Sequence, residues 1–148
     1  MQQTAARSEI DWATMIVAQT SDAIIATDSG GVIRVWNHGA ERLFGHTPSE
    51  MLGGSLDAII PETLRKAHWT GFDRAVVSGQ MKYSGEVMTT RSVHKDGRKL
   101  YIDMSFNLLR DTAEQIVGVL AIARDCTVRY EAERAMRARL RGLETPSS

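Results

Sequence analysis

This chain contains little cysteine, little proline, no net charge and no long apolar run. Its 148 residues include one cysteine, Cys126. A single thiol excludes an internal disulfide framework and a multi-cysteine zinc or iron–sulfur site, and it predicts a reducing compartment. Lys plus Arg and Asp plus Glu both total 18, which argues against a nucleic-acid or acidic-membrane partner. No segment approaches the roughly 20 apolar residues of a membrane span, so we expect a cytoplasmic protein.

The composition is that of one soluble domain, with 43% hydrophobic and 24% charged residues. The pattern divides the chain into a first region of residues 1–20, a central domain of residues 21–126 and a last region of residues 127–148. In the first region, Trp12 and its apolar neighbours recur at helical spacing, and Ser8 precedes them as a candidate N-cap. We therefore expect a short amphipathic helix there.

The central domain begins with a predicted hairpin. Two apolar segments, residues 23–27 and 32–36, flank a turn over Asp28–Gly31, where glycines supply the positive φ of a tight turn. Asn37 then caps a predicted short helix, and Gly45 ends it.

Helix signals follow, and strand signals close the domain. Thr47–Glu50 is a capping box, and Pro61–Ser78 carries an apolar stripe that includes His68. Beyond the Asp-Gly turn of residues 95–98, residues 100–106 alternate between apolar and polar, and residues 116–123 are almost wholly apolar. The order of elements predicts an α+β fold with one antiparallel sheet.

The last region predicts a helix over Thr127–Leu143. Its apolar residues form a narrow seam among five arginines. The pattern fits a helix that leaves the domain, and it fits equally a solvated helix that folds back onto the sheet. The seam consists of Val128, Ala132, Ala135, Met136, Leu140 and Leu143.

Five short sequence segments resemble segments of the PAS sensory domain and occur in the same order as in that family. They are Ala26-Thr27-Asp28, Val35-Trp36-Asn37, Glu50-Met51-Leu52-Gly53, His94-Lys95-Asp96-Gly97 and Arg124-Asp125-Cys126-Thr127. The resemblance covers about residues 21–127. It implies a five-stranded antiparallel sheet in the order 2-1-5-4-3, with helices on one face and flanking terminal helices. It also implies a sensory, signal-transducing role without catalysis.

Residues 59–68 resemble the helix that supplies the proximal iron ligand in haem-binding PAS domains of oxygen-sensing kinases and of Dos-type phosphodiesterases. The resemblance implies that His68 ligates haem b for gas or redox sensing. Arg74 matches a propionate-pairing arginine, and Met104 and Phe106 match apolar positions on the distal side. A neutral imidazole and a guanidinium suit iron and carboxylates respectively.

The departures from those haem domains lie on the distal side. Met88 stands where they carry an arginine that steadies bound oxygen, and Glu86 stands where the Dos type has a methionine ligand. Gly71 replaces a tyrosine. Met88 or Met104 as a sixth ligand would favour carbon monoxide or redox sensing.

Two other functions remain open. Trp36 or Trp69 would suit a non-covalent flavin, whereas Cys126, at the end of the last strand, excludes the covalent photochemistry of the light-oxygen-voltage subgroup. A cofactor-free PAS interaction module would dimerise through the two terminal helices, and the arginine-rich last helix would dock an effector or partner signalling protein. No nucleophile elbow, phosphate loop or metal-spaced histidine pair is present, so we expect no enzyme.

Overall fold

The computed structural model describes residues 9–81 and 85–144 of the chain. Strands open and close the central domain, and helices lie between them. The elements are α1 (Trp12–Gln19), β1 (Ala23–Asp28), β2 (Ile33–Trp36), α2 (His38–Phe44), α3 (Pro48–Met51), a 3₁₀ turn (Leu56–Ile59), α4 (Glu62–Ser78), β3 (Met88–Val93), β4 (Lys99–Arg110), β5 (Ile116–Asp125) and α5 (Thr127–Glu144).

The strands form one antiparallel sheet in the order β2-β1-β5-β4-β3. The first and last strands of the chain pair at the centre, with Ala23 opposite Ala123. At the other edge Met88 of β3 lies opposite Met104 of β4. The predicted α+β fold and strand order are confirmed.

The helix ends agree with the predicted capping signals. The Asn37 side chain accepts a hydrogen bond from a backbone N–H of α2, and Thr47 and Glu50 form the capping box of α3. Glycines in the left-handed conformation end α2 and α4. The predicted cap of α1 differs. Ser8 lies outside the described residues, and Asp11 accepts the hydrogen bond from the Thr14 N–H at 3.1 Å.

The hydrophobic core occupies one end of the inner face of the sheet, which is the face covered by α2, α3 and α4. Phe44, Ile33 and Ile102 are its largest fully buried side chains. Met104 and Ala123 belong to the same cluster. A separate ligand-sized space lies on the same face beneath α4.

The C-terminal helix α5 begins against the outer face of the sheet and then leaves it. The rings of Tyr101 and Tyr130 stack at 3.9 Å, and Arg129 Nη2 lies 2.8 Å from Asp103 Oδ2. Residues 131–143 are all exposed. Of the two predicted arrangements, the helix that leaves the domain is therefore the one that forms. No helix within the described ranges has the length and apolar character to cross a membrane.

Candidate functional site

A pocket of about 480 Å³ lies between α4 and the inner face of the sheet. Its volume is within the range of about 300–1,000 Å³ that is usual for small-molecule sites. Most of its lining is apolar, with a few polar groups among it. The lining residues are Ile25, Thr27, Leu56, Ala67, His68, Gly71, Phe72, Arg74, Ala75, Gln80, Met81, Met88, Phe106, Val119 and Ala121.

The α4 wall of this pocket is a stripe of residues at helical spacing. Residues 67, 68, 71, 72 and 75 share that face, with Gly71 near its centre. A Cβ at Gly71 would meet nothing within 4 Å. The glycine that replaces the tyrosine of the haem domains therefore leaves the middle of the wall open.

His68 is the histidine that α4 contributes to this wall. Its Nδ1 is buried and has no hydrogen-bond partner among residues 9–81 and 85–144. The imidazole packs between Trp69 and Phe72, at ring-centroid distances of 4.6 and 6.4 Å. Burial lowers the pKa of His68, and the charge of Asp57 opposes this effect. The ring is therefore neutral at neutral pH, the state in which histidine binds metals.

Arg74 stands at the mouth of the pocket. It lines the pocket and also the shallow groove that continues along the outer side of α4. The described residues offer its guanidinium no hydrogen bond and no ion pair. An uncommitted guanidinium at the edge of an apolar pocket suits a ligand that ends in a carboxylate.

The sheet wall contains two of the three residues predicted there. Met88 and Phe106 line the pocket. Met104 does not, although it lies opposite Met88 in register, because it is only 8% exposed and packs in the hydrophobic core. Only Met88 of the two predicted methionines therefore reaches the pocket.

The two tryptophans considered for cofactor stacking lie outside the lining. Trp69 Nε1 donates a hydrogen bond to Asp57 Oδ1 at 2.7 Å, and the Trp69 ring lies over Gly31. Trp69 therefore connects α4 with the 3₁₀ turn and with the first hairpin. Trp36 Nε1 donates to the His46 carbonyl at 2.9 Å, in the core. Trp69 still borders the pocket, because its ring makes an edge-to-face contact with the His68 imidazole.

Thr27 was missed by the sequence analysis and lies in the sheet wall of the pocket. Its hydroxyl is buried and unpartnered within the described ranges. The signal was present in β1, where Ala23, Ile25 and Thr27 alternate toward the inner face. A polar residue at an inward position of a buried strand is a candidate for a contact inside the pocket.

Cys126 lies on the other side of the sheet. It is buried where β5 meets α5, and its N–H donates to the Tyr101 carbonyl at 2.8 Å. Burial raises the pKa of its thiol, and the nearby Asp103 carboxylate adds to the shift. Its thiol is not among the groups that line the pocket.

A central antiparallel sheet with helices over one face and a ligand-sized pocket beneath them is the architecture of a class of sensory α+β domains. Residues 13–126 match the family model of the PAS fold, and the chain belongs to the PAS family. PAS domains are generally sensory modules rather than enzymes, and they commonly dimerise and couple to effector domains.

Two curated relatives share sequence similarity with this chain. The oxygen sensor protein DosP of Escherichia coli K12 is 31% identical over 96 residues, which are 65% of this chain and 12% of DosP. An uncharacterised protein of Azorhizobium caulinodans is 28% identical over 116 residues, 78% of this chain and 16% of that protein. The chain thus spans a small part of each of these two relatives.

The fold is shared with proteins of known structure. A PAS domain from Colwellia psychrerythraea superposes with a TM-score of 0.67 at 26% identity, over 78% of this chain and 94% of that one. An RNA-binding light-oxygen-voltage receptor superposes with a TM-score of 0.69 at 20% identity, over 85% of this chain and 35% of that one. At 20% identity the second likeness shows the fold alone.

Proposed function

We propose that this PAS domain is a sensor that binds haem b through His68 and responds to a gas or to redox state. The observation that carries the proposal is the half-buried, neutral His68, whose buried Nδ1 has no partner within the described ranges, on the wall of a mainly apolar pocket of about 480 Å³. The resemblance of residues 59–68 to a proximal haem helix supports it. So does the similarity to DosP, which is named as an oxygen sensor.

The residues around the pocket fit this cofactor. His68 would hold the iron, and Arg74 at the mouth would hold the propionates. Met88 and Phe106 would shield the site from water on the sheet side. Haem supplies an iron with a coordination position for a small ligand and a redox couple.

Strands β4 and β5 connect the pocket with α5. Phe106, Val119 and Ala121 face the pocket, while Tyr101 and Asp103 of β4 hold the start of α5 on the outer face. A ligand that changes contacts on the inner face would shift the packing of α5, provided it binds the two arrangements with different affinity.

Titration of the purified full chain with haemin tests the cofactor. We expect a sharp Soret band that saturates at about one haemin per chain, and no comparable uptake of flavin mononucleotide. Absence of a Soret band at saturation would contradict haem binding. Tight flavin binding with a structured flavin spectrum would favour the flavin alternative.

The position of Arg74 predicts a selective loss in the Arg74→Gln variant. We expect wild type to bind haemin about tenfold more tightly than haemin dimethyl ester, which lacks carboxylate charge, and we expect Arg74→Gln to lose this preference. Fluorescence quenching of the tryptophans measures both affinities. Arg134→Gln, which changes an exposed arginine of α5, is the matched control. An equal preference in Arg74→Gln and wild type would remove the proposed role.

A second candidate function is dimerisation through the terminal helices. Large apolar side chains are exposed on both of them. They are Trp12 and Ile16 on α1, and Val128, Met136, Leu140 and Leu143 on α5. Apolar residues at heptad-like spacing on a helix that leaves its domain are typical of a coiled-coil seam. The two functions are compatible, since PAS sensors commonly signal as dimers.

Substitution of both Met136 and Leu140 by serine tests whether the apolar seam of α5 forms a dimer interface. Sedimentation equilibrium should show a dimer for the wild-type chain and a dissociation constant at least about tenfold higher for the double variant Met136→Ser, Leu140→Ser. Val77→Ser is the matched control, because Val77 is 88% exposed on α4 and lies outside both terminal helices. A monomeric wild-type chain, or an unchanged constant in the double variant, would exclude this interface.

A further inference from the structure

Thr27 is a buried polar residue whose hydroxyl has no partner in the part of the chain that the structure describes. It is 4% exposed, lies on the inner face of β1 and lines the pocket. Its backbone is fixed by both neighbouring strands, through register with Ile33 of β2 and Val119 of β5. The position of its side chain is therefore set by the sheet.

The other two buried polar residues in the described ranges, Asn37 and Ser92, are hydrogen-bonded. Asn37 bonds to four backbone groups, and Ser92 Oγ donates to the Ile59 carbonyl at 2.5 Å. Within the described ranges, three buried side-chain atoms lack a partner, and two of them, Thr27 Oγ1 and His68 Nδ1, line the same pocket. Unpaired buried polar groups are unfavourable, so two in one pocket indicate a ligand that pairs with them.

The two groups lie on opposite walls. His68 belongs to α4 and Thr27 to the sheet beneath it, so an occupant of the pocket is held between them. Hydroxyl groups donate as well as accept, whereas Met88, at the position of the usual distal arginine, does not donate. Thr27 can therefore supply the polar contact that the arginine would otherwise make.

We propose that Thr27 is a ligand-contacting, specificity-determining residue, whose hydroxyl donates a hydrogen bond to a diatomic gas held between His68 and the sheet. This inference rests on the proposed haem function. A donor there favours a gas whose outer atom carries partial negative charge, so it raises the affinity for oxygen relative to carbon monoxide.

The test compares Thr27→Val, which keeps the shape and removes the hydroxyl, with Thr27→Ser, which keeps the hydroxyl. In the haemin-loaded, reduced protein, we expect Thr27→Val to raise the C–O stretching frequency of added carbon monoxide. We also expect it to lower the ratio of oxygen to carbon monoxide affinity about fivefold to tenfold, the effect of one hydrogen bond. Thr27→Ser should stay close to wild type in both measurements.

Thermal unfolding of the haem-free variants separates a ligand contact from a structural role. Because the hydroxyl is unpartnered in the pocket, Thr27→Val should melt at the same temperature as wild type or higher. A lower melting temperature, or an unchanged stretching frequency and affinity ratio with a normal Soret band, overturns the role of Thr27 and leaves haem binding intact. No Soret band in the wild-type chain overturns the haem function, and this inference with it.

Discussion

Haemin added to the His68→Ala variant should give the broad, weak absorption of loosely associated haemin, in place of the sharp Soret band expected for wild type. Even changes to groups that only support a metal ligand typically lower metal affinity by about 10-fold to 100-fold. Removal of the ligand itself should therefore lower haemin affinity by about 100-fold or more. Absorption titration measures the loss, with the dissociation constant obtained by transfer of haemin to apomyoglobin.

Two controls separate ligation from general damage to the fold. His38→Ala changes an exposed histidine of α2 and should leave the Soret band unchanged. His68→Gly leaves room for free imidazole, and addition of imidazole should restore a sharp band. An unchanged spectrum in His68→Ala would mean that haemin binds without this side chain, and imidazole without effect on His68→Gly would argue against iron ligation.

The fold was predictable because its signals are local. Alternation along residues 100–106 gave the two faces of β4, and the caps at Asn37 and Thr47 gave the starts of α2 and α3. The strand order came from the resemblance, because pairing of β1 with β5 joins residues about 100 positions apart and leaves no local trace. The start of α5 on the sheet also depends on a non-local pair, Tyr101 with Tyr130.

The lining of the pocket was predictable where one helix or strand face decides it. Of the six predicted residues, His68, Arg74, Met88 and Phe106 line the pocket. Trp69 does not, because its position depends on Asp57 and Gly31, which come from two other segments. Met104 was correctly assigned to the inner face of the sheet, but it does not line the pocket. That face carries both the hydrophobic core and the pocket, and Met104 lies in the core.

Replacing Asn37 by alanine should cause a large loss of stability. The Asn37 side chain is buried and makes four hydrogen bonds. Its Oδ1 accepts from the N–H groups of Ile24 and Ala40, at 2.8 and 2.9 Å, and its Nδ2 donates to the carbonyls of Val17 and Asp22, at 2.7 and 3.0 Å. Alanine removes the cap of α2 and leaves buried backbone groups unpaired, so we expect the free energy of unfolding to fall by about 3 kcal/mol. Urea denaturation followed by circular dichroism measures it.

Asn107→Ala is the matched control, because Asn107 is an exposed strand residue whose side chain makes no hydrogen bond among the described residues, and its change should stay within about 0.5 kcal/mol. A loss below about 1 kcal/mol in Asn37→Ala would contradict the network.

Because the Asn37 amide also donates a hydrogen bond to the carbonyl of Val17, the variant should release α1 before the sheet unfolds. Limited proteolysis should then cleave near residues 12–19 in the variant while wild type stays intact, which would show that a residue of the PAS core controls the docking of a terminal helix.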